Sequence, residues 1–301
     1  MINNFNEKAY DPAALVFRGS YEDTEENSII TVPEGVREIC ENAFRDFKHL
    51  KEIYLPKSLQ RISAAAFSGC EQLSRVVMSD GILEIGDEAF AFCPSLNSIT
   101  VPNTVSRIGE GAFEGCAGLT RVKLSEAVYM IGSNAFAFCF NLCEITIPDS
   151  CVLVEFSAFA NCFSLEEVKL SDNMTLLDEA LFEGCRSLSS VDLPIRLKKI
   201  SRGAFRGCTS LKSIILPIGV EHIGFDAFAG CTALSRIAVP KGIRELEDLD
   251  VFSGCDALSE ISFGGSEDDW SFLTNGRTLT VEHSDLSVST PRITILNIEE
   301  K

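Results

Sequence analysis

The cysteines have the most regular spacing of any chemically versatile residue in the sequence. One thiol recurs every 23 residues, with a single step of 24, and such a series suggests metal binding or redox work. A zinc site needs ligands that converge as a tetrahedron, whereas this spacing gives a straight column. A buried thiol also packs as a small hydrophobic group. We therefore expect a reduced, packed column with no metal and no cofactor, at Cys70, Cys93, Cys116, Cys139, Cys162, Cys185, Cys208, Cys231 and Cys255.

Three further cysteines, Cys40, Cys143 and Cys151, stand outside that column. Cys151 falls on an apolar position of the repeat and is expected in the core, whereas Cys143 is expected on a strand and exposed. A reduced series favours a reducing compartment, so the cysteines point to the cytoplasm.

Histidine, glycine and acidic residues offer little else for chemistry. The histidines, His49, His222 and His283, are too scattered for a metalloprotease motif or a catalytic triad. The acidic runs at 22–26 and 245–250 lack the spacing of an EF-hand, so we interpret them as solvated faces. We expect no enzyme; the alternative is one whose catalytic residues are scattered over several repeats.

A short glycine series, Gly109, Gly111 and Gly115, resembles a phosphate-binding motif. Such a motif needs a strand before it and a helix after it, within a βαβ unit. Gly109 and Gly115 instead recur with the repeat, where the chain turns. We interpret the series as structural.

The net charge of −18 argues against two classes of partner. Phosphate backbones and anionic membranes are bound by clustered Lys and Arg, so we expect no nucleic acid. No apolar run approaches the roughly 20 residues of a spanning helix, so we expect no membrane insertion. Residues 1–10 contain no apolar stretch, and we therefore expect no export signal there.

The cysteine column belongs to a longer repeat that is built around phenylalanine. Leucine follows each phenylalanine by six residues, and apolar residues recur nine and eleven residues after it and five and eight before it. Each unit predicts a short strand, a turn and one helical turn, with too few apolar residues for a core of its own. The repeating residues are Phe44, Phe67, Phe90, Phe113, Phe136, Phe159, Phe182, Phe205, Phe228 and Phe252.

Stacking these units predicts an α/β solenoid of about ten 23-residue coils, with short parallel strands. We expect an N-terminal cap at 1–32, the repeats at 33–263 and a C-terminal cap at 264–301. The segment 14–17 is apolar enough to pair with the first coil. In the tail, Ser266 and Asp269 predict a capping box that would place Trp270 over the last coil.

One column of charges predicts how the coils align. Glu38, Arg61, Glu84 and Arg107 occupy equivalent positions of successive repeats and alternate in sign. Neighbouring parallel strands would bring these side chains together as cross-strand pairs that favour one register.

The stretch 101–119 resembles the repeat of the BspA-like leucine-rich repeat family of bacterial and protozoan proteins. The residues that carry the resemblance are Val101, Ile108, Gly109, Ala112, Phe113, Gly115, Cys116 and Leu119. It extends over residues 33–263, and the tail 263–270 is similar to the family's C-terminal cap. The resemblance implies a leucine-rich repeat superhelix and binding of host or matrix proteins at a cell surface.

Repeats three, five and six depart from the pattern, because apolar residues stand where polar or small ones are expected. We predict a protein-binding patch there, for a partner protein or a second copy of the chain. Repacking beneath the coil and a small-ligand groove are the alternatives. The candidate residues are Phe92, Tyr129, Met130, Phe138, Phe140, Phe156 and Phe163, with Leu153 beside them.

Overall fold

The computed structural model describes residues 10–11, 16–17, 23–247, 249–283 and 287–295, and it shows a β-solenoid of about eleven turns. We number ten coils by their repeating phenylalanine, from coil 1 at Phe44 to coil 10 at Phe252. A position such as +2 or −6 counts residues from that phenylalanine. The predicted solenoid is confirmed, and every coil contributes short strands to two parallel sheets, except that coil 7 adds only a single bridge residue to the first.

The first sheet runs along positions +8 to +10. Its strands are β3 (Ile29–Thr31), β5 (Glu52–Tyr54), β7 (Arg75–Val77), β9 (Ser98–Thr100), β11 (Arg121–Lys123), β13 (Glu144–Thr146), β15 (Glu167–Lys169), β18 (Ser213–Ile215), β20 (Arg236–Val239), β22 (Glu260–Phe263) and β25 (Arg292–Ile295). The middle residue of nearly every three-residue strand is buried between exposed or half-exposed neighbours, as the period of two requires.

The second sheet runs along positions −6 and −5. Its strands are β1 (Tyr10–Asp11), β2 (Val16–Phe17), β4 (Glu38–Ile39), β6 (Arg61–Ile62), β8 (Glu84–Ile85), β10 (Arg107–Ile108), β12 (Met130–Ile131), β14 (Leu153–Val154), β16 (Leu176–Leu177), β17 (Lys199–Ile200), β19 (His222–Ile223) and β21 (Glu245–Leu246). Near the C-terminus, β23 (Val281–Glu282) and β24 (Val288–Ser289) form an antiparallel pair.

The register of the second sheet follows the predicted charge column. Arg61 pairs with Glu38 on one side and with Glu84 on the other, and Arg107 pairs with Glu84. The carboxylate of Glu84 lies 3.4 Å from the Arg61 guanidinium and also contacts that of Arg107. The alternating charges therefore meet as expected.

The helical turn that the sequence predicted in every repeat is wrong. The described residues contain one α-helix, α1 (Glu267–Leu273), and two 3₁₀ turns at Glu25–Asn27 and Leu249–Phe252. Positions −2 and +2 of the coils usually adopt positive φ, as at Ala65 and Gly69. Alternate N–H groups therefore point to the next coil, and Phe67 N donates to Ala89 O at 2.8 Å. Bonds between coils replace those of a helix.

The core is one continuous column of phenylalanine rings. Neighbouring rings are nearly parallel, with centroids 5.0–5.9 Å apart from Phe17 through Phe252. Phe17 lies before the first repeat, so the N-terminal segment extends the stack. The rings are almost completely buried, and the core joins every coil to its neighbours.

The cysteine column lies beside these rings. Each thiol at position +3 donates to the phenylalanine carbonyl of the preceding coil, as from Cys93 Sγ to Phe67 O at 3.2 Å. The same bond recurs from Cys70 to Cys255. A thiol thus fills a small gap and also supplies a hydrogen-bond donor to the backbone.

Both sheets are interrupted between coils 6 and 7, a place we call the joint. The second sheet stops at β14 and restarts at β16, and the first keeps a single bridge there, from Lys169 to Asp192. At position −1, Leu181 replaces the alanine of most other coils and is fully buried. Across the joint, the rings of Phe159 and Phe182 remain stacked with centroids 5.8 Å apart, and Phe159 N donates to Leu181 O at 3.1 Å.

Segments outside the repeats contact the coils at both ends of the solenoid. β1 pairs antiparallel with β2, which in turn pairs with β4 of coil 1. The predicted capping box at Ser266 is present, and the rings of Trp270 and Phe263 lie 5.1 Å apart. We propose that residues 1–32 and 264–301 act as caps on the repeats.

Candidate protein-binding surface

Position +2 carries two of the candidate aromatic residues. It is held in the left-handed backbone region, and glycine occupies it in six of the ten coils. Phe92 and Phe138 stand there instead, with φ of +56° and +60°. A bulky residue with positive φ is a genuine outlier that costs about 1–3 kcal/mol. Both side chains are exposed, by 53% and 39%.

The ring of Phe92 covers the neighbouring coil. A Cβ atom on Gly115, at position +2 of coil 4, would lie 2.6 Å from Phe92 Cδ1. A side chain at this place would therefore displace the Phe92 ring and would also adopt an unfavourable φ of +68°.

Three candidate rings form a cluster outside the core on coils 5 and 6. Phe138 meets Phe140 edge to face with ring centroids 6.2 Å apart, and Phe140 stacks on Phe163 at 4.8 Å. On the far side, the guanidinium carbon of Arg186 lies 4.4 Å from the Phe163 ring centroid. Phe140 is exposed and Phe163 is half-buried. We call Phe138, Phe140 and Phe163 the aromatic cluster.

The remaining candidates lie along the second sheet and beside it. Met130 pairs with Leu153 between β12 and β14, and Tyr129 directly precedes Met130. Tyr129, Leu153 and Phe156 are exposed, whereas Met130 is half-buried. The structure thus places these residues on the −7 to −3 side of the coils, and the aromatic cluster on the +2 and +4 side.

Three glutamates of coils 3 and 4 lie near one another. Glu88 stands at position −2 of coil 3, and Glu110 and Glu114 stand at −3 and +1 of coil 4. A Cβ on Gly111 would lie 3.2 Å from a Glu114 carboxylate oxygen and 3.4 Å from Glu88 Cγ, so these two side chains flank it. Burial, with the nearby charges of Glu88 and Glu110, raises the pKa of Glu114.

Coils 7 and 8 carry an exposed group of isoleucines that was not predicted from the sequence. Ile195, Ile215 and Ile218 are each about three-quarters exposed. Ile195 and Ile218 share position +13, where coils 1 to 6 carry a charged residue or asparagine. Comparing residues position by position across the coils would have revealed the group.

Thiols of the cysteine column are held in their protonated form. Burial raises the pKa of the Cys162 thiol to about 12, and hydrogen bonds with the Cys116 and Cys70 thiols and burial raise that of Cys93. The nucleophilic thiolate is therefore suppressed. Cys151 is buried and Cys143 is exposed, as the sequence predicted, but Cys143 directly precedes β13 and does not lie within the strand as expected. Among the described residues, His, Cys, Asp and Glu form no group of three placed to hold a metal ion.

Two grooves accompany the interruptions of the first sheet. One of about 640 Å³ lies between coils 2 and 3 and includes Val77, Met78 and Thr100. The other, of about 660 Å³, lies at the joint and includes Glu167 and Asp192. Neither is lined by a residue of the aromatic cluster, and the small-ligand alternative gains no support there. In the described part of the chain, no helix has the length and apolar character needed to cross a membrane.

Comparisons with family models and with solved structures both find leucine-rich repeat proteins. The family described as BspA type Leucine rich repeat region (6 copies) matches residues 17–142, 84–208 and 130–259. A leucine-rich repeat protein from Bacteroides ovatus is 26% identical over 90% of this chain and 84% of its own, with a TM-score of 0.51. No curated protein matches the sequence.

Two other solved structures are more distant. A leucine-rich repeat protein from Eubacterium ventriosum is 18% identical over 76% of this chain and 85% of its own, with a TM-score of 0.47. The pneumococcal vaccine antigen PcpA is 19% identical over 90% of this chain and 89% of its own, with a TM-score of 0.45.

Proposed function

Because the chain belongs to the BspA-type leucine-rich repeat family, we propose that it is a non-catalytic scaffold that binds a partner protein through coils 3–6. Repeat solenoids present long surfaces and have few contacts between distant coils, which suits them to protein recognition. The candidate residues are those predicted from the sequence: Phe92, Tyr129, Met130, Phe138, Phe140, Phe156 and Phe163.

The observation that carries this proposal is the aromatic cluster. Its rings contact one another outside the phenylalanine column, and Phe138 stays exposed in a backbone conformation that favours glycine. Strained residues of this kind persist where the surrounding structure holds them and are frequent at binding sites. Contiguous exposed aromatic residues are also typical of interface centres. Repacking beneath the coil would instead bury these rings.

Capture from an extract of the native host tests the proposal. The immobilised wild-type protein is compared with Phe138→Asp and Phe140→Asp, each of which places a charge in the cluster. Phe272→Asp is the matched control, because Phe272 is 83% exposed on α1. We expect a partner that the wild type and the control retain and the two cluster variants lose. Identical captured proteins for all four would rule out this surface.

Self-association is measured on the purified chain. If the partner is a second copy, sedimentation velocity will show a dimer that Phe138→Asp converts to monomer and Phe272→Asp leaves intact. A wild-type monomer at all concentrations, together with a captured partner, assigns the surface to a different protein.

A further inference from the structure

The surface proposed above adjoins an uncompensated negative charge. Within the described part of the chain, no Lys or Arg lies within ion-pair distance of Glu88, Glu110 or Glu114. By contrast, Asp87 in the same region is 3.3 Å from the Arg107 guanidinium. Burial, together with the negative charges of Glu88 and Glu110, raises the pKa of Glu114. A cation brought to this place would relieve that repulsion.

One of these glutamates adjoins Phe92 across neighbouring coils. Phe92 N donates to Glu114 O at 2.6 Å, and the Phe92 ring covers the next residue, Gly115. Phe138 occupies the same position +2 one coil after Gly115. The acidic group therefore adjoins Phe92 on coils 3 and 4, one coil before Phe138.

The protein itself shows which cation the rings accept. The Arg186 guanidinium lies over the face of Phe163 at the end of the cluster. A planar guanidinium can stack on an aromatic ring and also donate to carboxylates, whereas an ammonium stacks less well. Phe92 and Glu114, on neighbouring coils, offer a guanidinium both an aromatic ring and a carboxylate.

We propose that coils 3–6 bind an arginine-bearing basic segment of a partner protein. Guanidinium groups of that segment lie over Phe92 and Phe138 and pair with Glu88, Glu110 and Glu114. This inference rests on the proposed scaffold function and adds the chemistry of the partner. A second copy of the chain fits less well, since it also carries a net charge of −18 and is repelled as a whole.

Binding of a fluorescein-labelled peptide of six arginines alternating with glycine tests the proposal by anisotropy at several salt concentrations. A peptide with lysine in place of arginine is the comparison. We expect the arginine peptide to bind several-fold more tightly than the lysine peptide, with affinity falling as salt rises. Equal binding of the two peptides, or no binding of the arginine peptide at low salt, would overturn the proposal.

Two triple variants that remove the same amount of charge distinguish binding at this site from general attraction to the protein's net charge. Combining Glu88→Gln, Glu110→Gln and Glu114→Gln should weaken binding about tenfold, the sum of three modest ion pairs. Combining Asp80→Asn, Glu126→Gln and Glu166→Gln removes the same charge from exposed positions elsewhere and should change affinity less than about threefold. Equal losses in both triple variants would show attraction to net charge alone and overturn the proposal.

The aromatic part is tested with Phe92→Asn and Phe138→Asn. Asparagine tolerates the positive φ of position +2 and occupies it at Asn161. Each variant should keep the wild-type unfolding midpoint and lose peptide affinity several-fold, and unchanged affinity in both would contradict the stacking. A host partner that is lost with Phe138→Asp but retained by the triple glutamine variant would leave the scaffold function standing and exclude the basic segment.

Discussion

The ring of Phe92 occupies the space that a side chain on Gly115 would need. A Cβ atom there would lie 2.6 Å from Phe92 Cδ1, closer than non-bonded carbons approach. Two consecutive coils are therefore matched at position +2, with the large residue on coil 3 and the smallest one on coil 4.

This match predicts that Gly115→Ala is costly. The substitution combines an unfavourable φ with a clash, and we expect it to lower the free energy of unfolding by roughly 2–4 kcal/mol. Gly207→Ala is the control, because its φ of +72° is similar but the nearest atoms to a Cβ are 3.7 Å away. Chemical denaturation should give a smaller loss for the control. A double variant with Phe92→Asn should recover the difference, and additive effects would contradict the contact.

Two phenylalanines only two positions apart should respond very differently to substitution. Phe136 is fully buried, and its ring lies between Phe113 and Phe159 with centroid distances of 5.2 and 5.5 Å. Phe136→Ala should cost about 3–5 kcal/mol of unfolding free energy. Phe138→Asn should change it by less than about 1 kcal/mol, since relief of backbone strain offsets lost packing. Equal effects in urea denaturation would contradict the assigned core.

Thiol labelling should distinguish the column from the surface. Cys143 is exposed and Cys40 partly so, whereas the other ten cysteines are buried. A maleimide added to native protein should modify Cys143 first, and the column should react only when the coils open. Mass spectrometry of peptides gives the order. Fast labelling of Cys139 or Cys162 in native protein would refute the packed column.

Alkaline pH should destabilise the protein through the same thiols. Burial raises the pKa of Cys162 from its ordinary value near 9 to about 12, so between these values the unfolded chain loses a proton that the folded chain keeps. Stability due to this group is therefore full below about pH 9 and declines as pH rises toward 12. Cys162→Ala should make the decline shallower by about 1.4 kcal/mol per pH unit. Cys143→Ala, with its exposed thiol, is the control, and identical slopes would contradict the prediction.

Most of the fold could be predicted from the repeat, because its spacing alone placed Phe136 and Cys139 in the core and aligned Glu84 with Arg107. The helical turn was wrong because a periodic pattern does not report the sign of φ, and positions such as Ala65 and Glu88 adopt positive φ without being glycine. The surface was predicted only as a set of misfit apolar residues. Contacts among the rings of the aromatic cluster depend on how coils stack, which no single repeat specifies.

The joint between coils 6 and 7 is the plane at which strand pairing is interrupted in both sheets. Among the described residues, the single bridge from Lys169 to Asp192 joins the strands across it, while backbone bonds such as that from Phe159 N to Leu181 O remain. We expect tension applied to the two ends to open the strands first at this plane. Phe163 and Arg186 lie on opposite sides of that plane and touch across it. A partner bound to the rings beside them would add contacts across the joint. We expect binding to raise the force needed to separate coils 6 and 7.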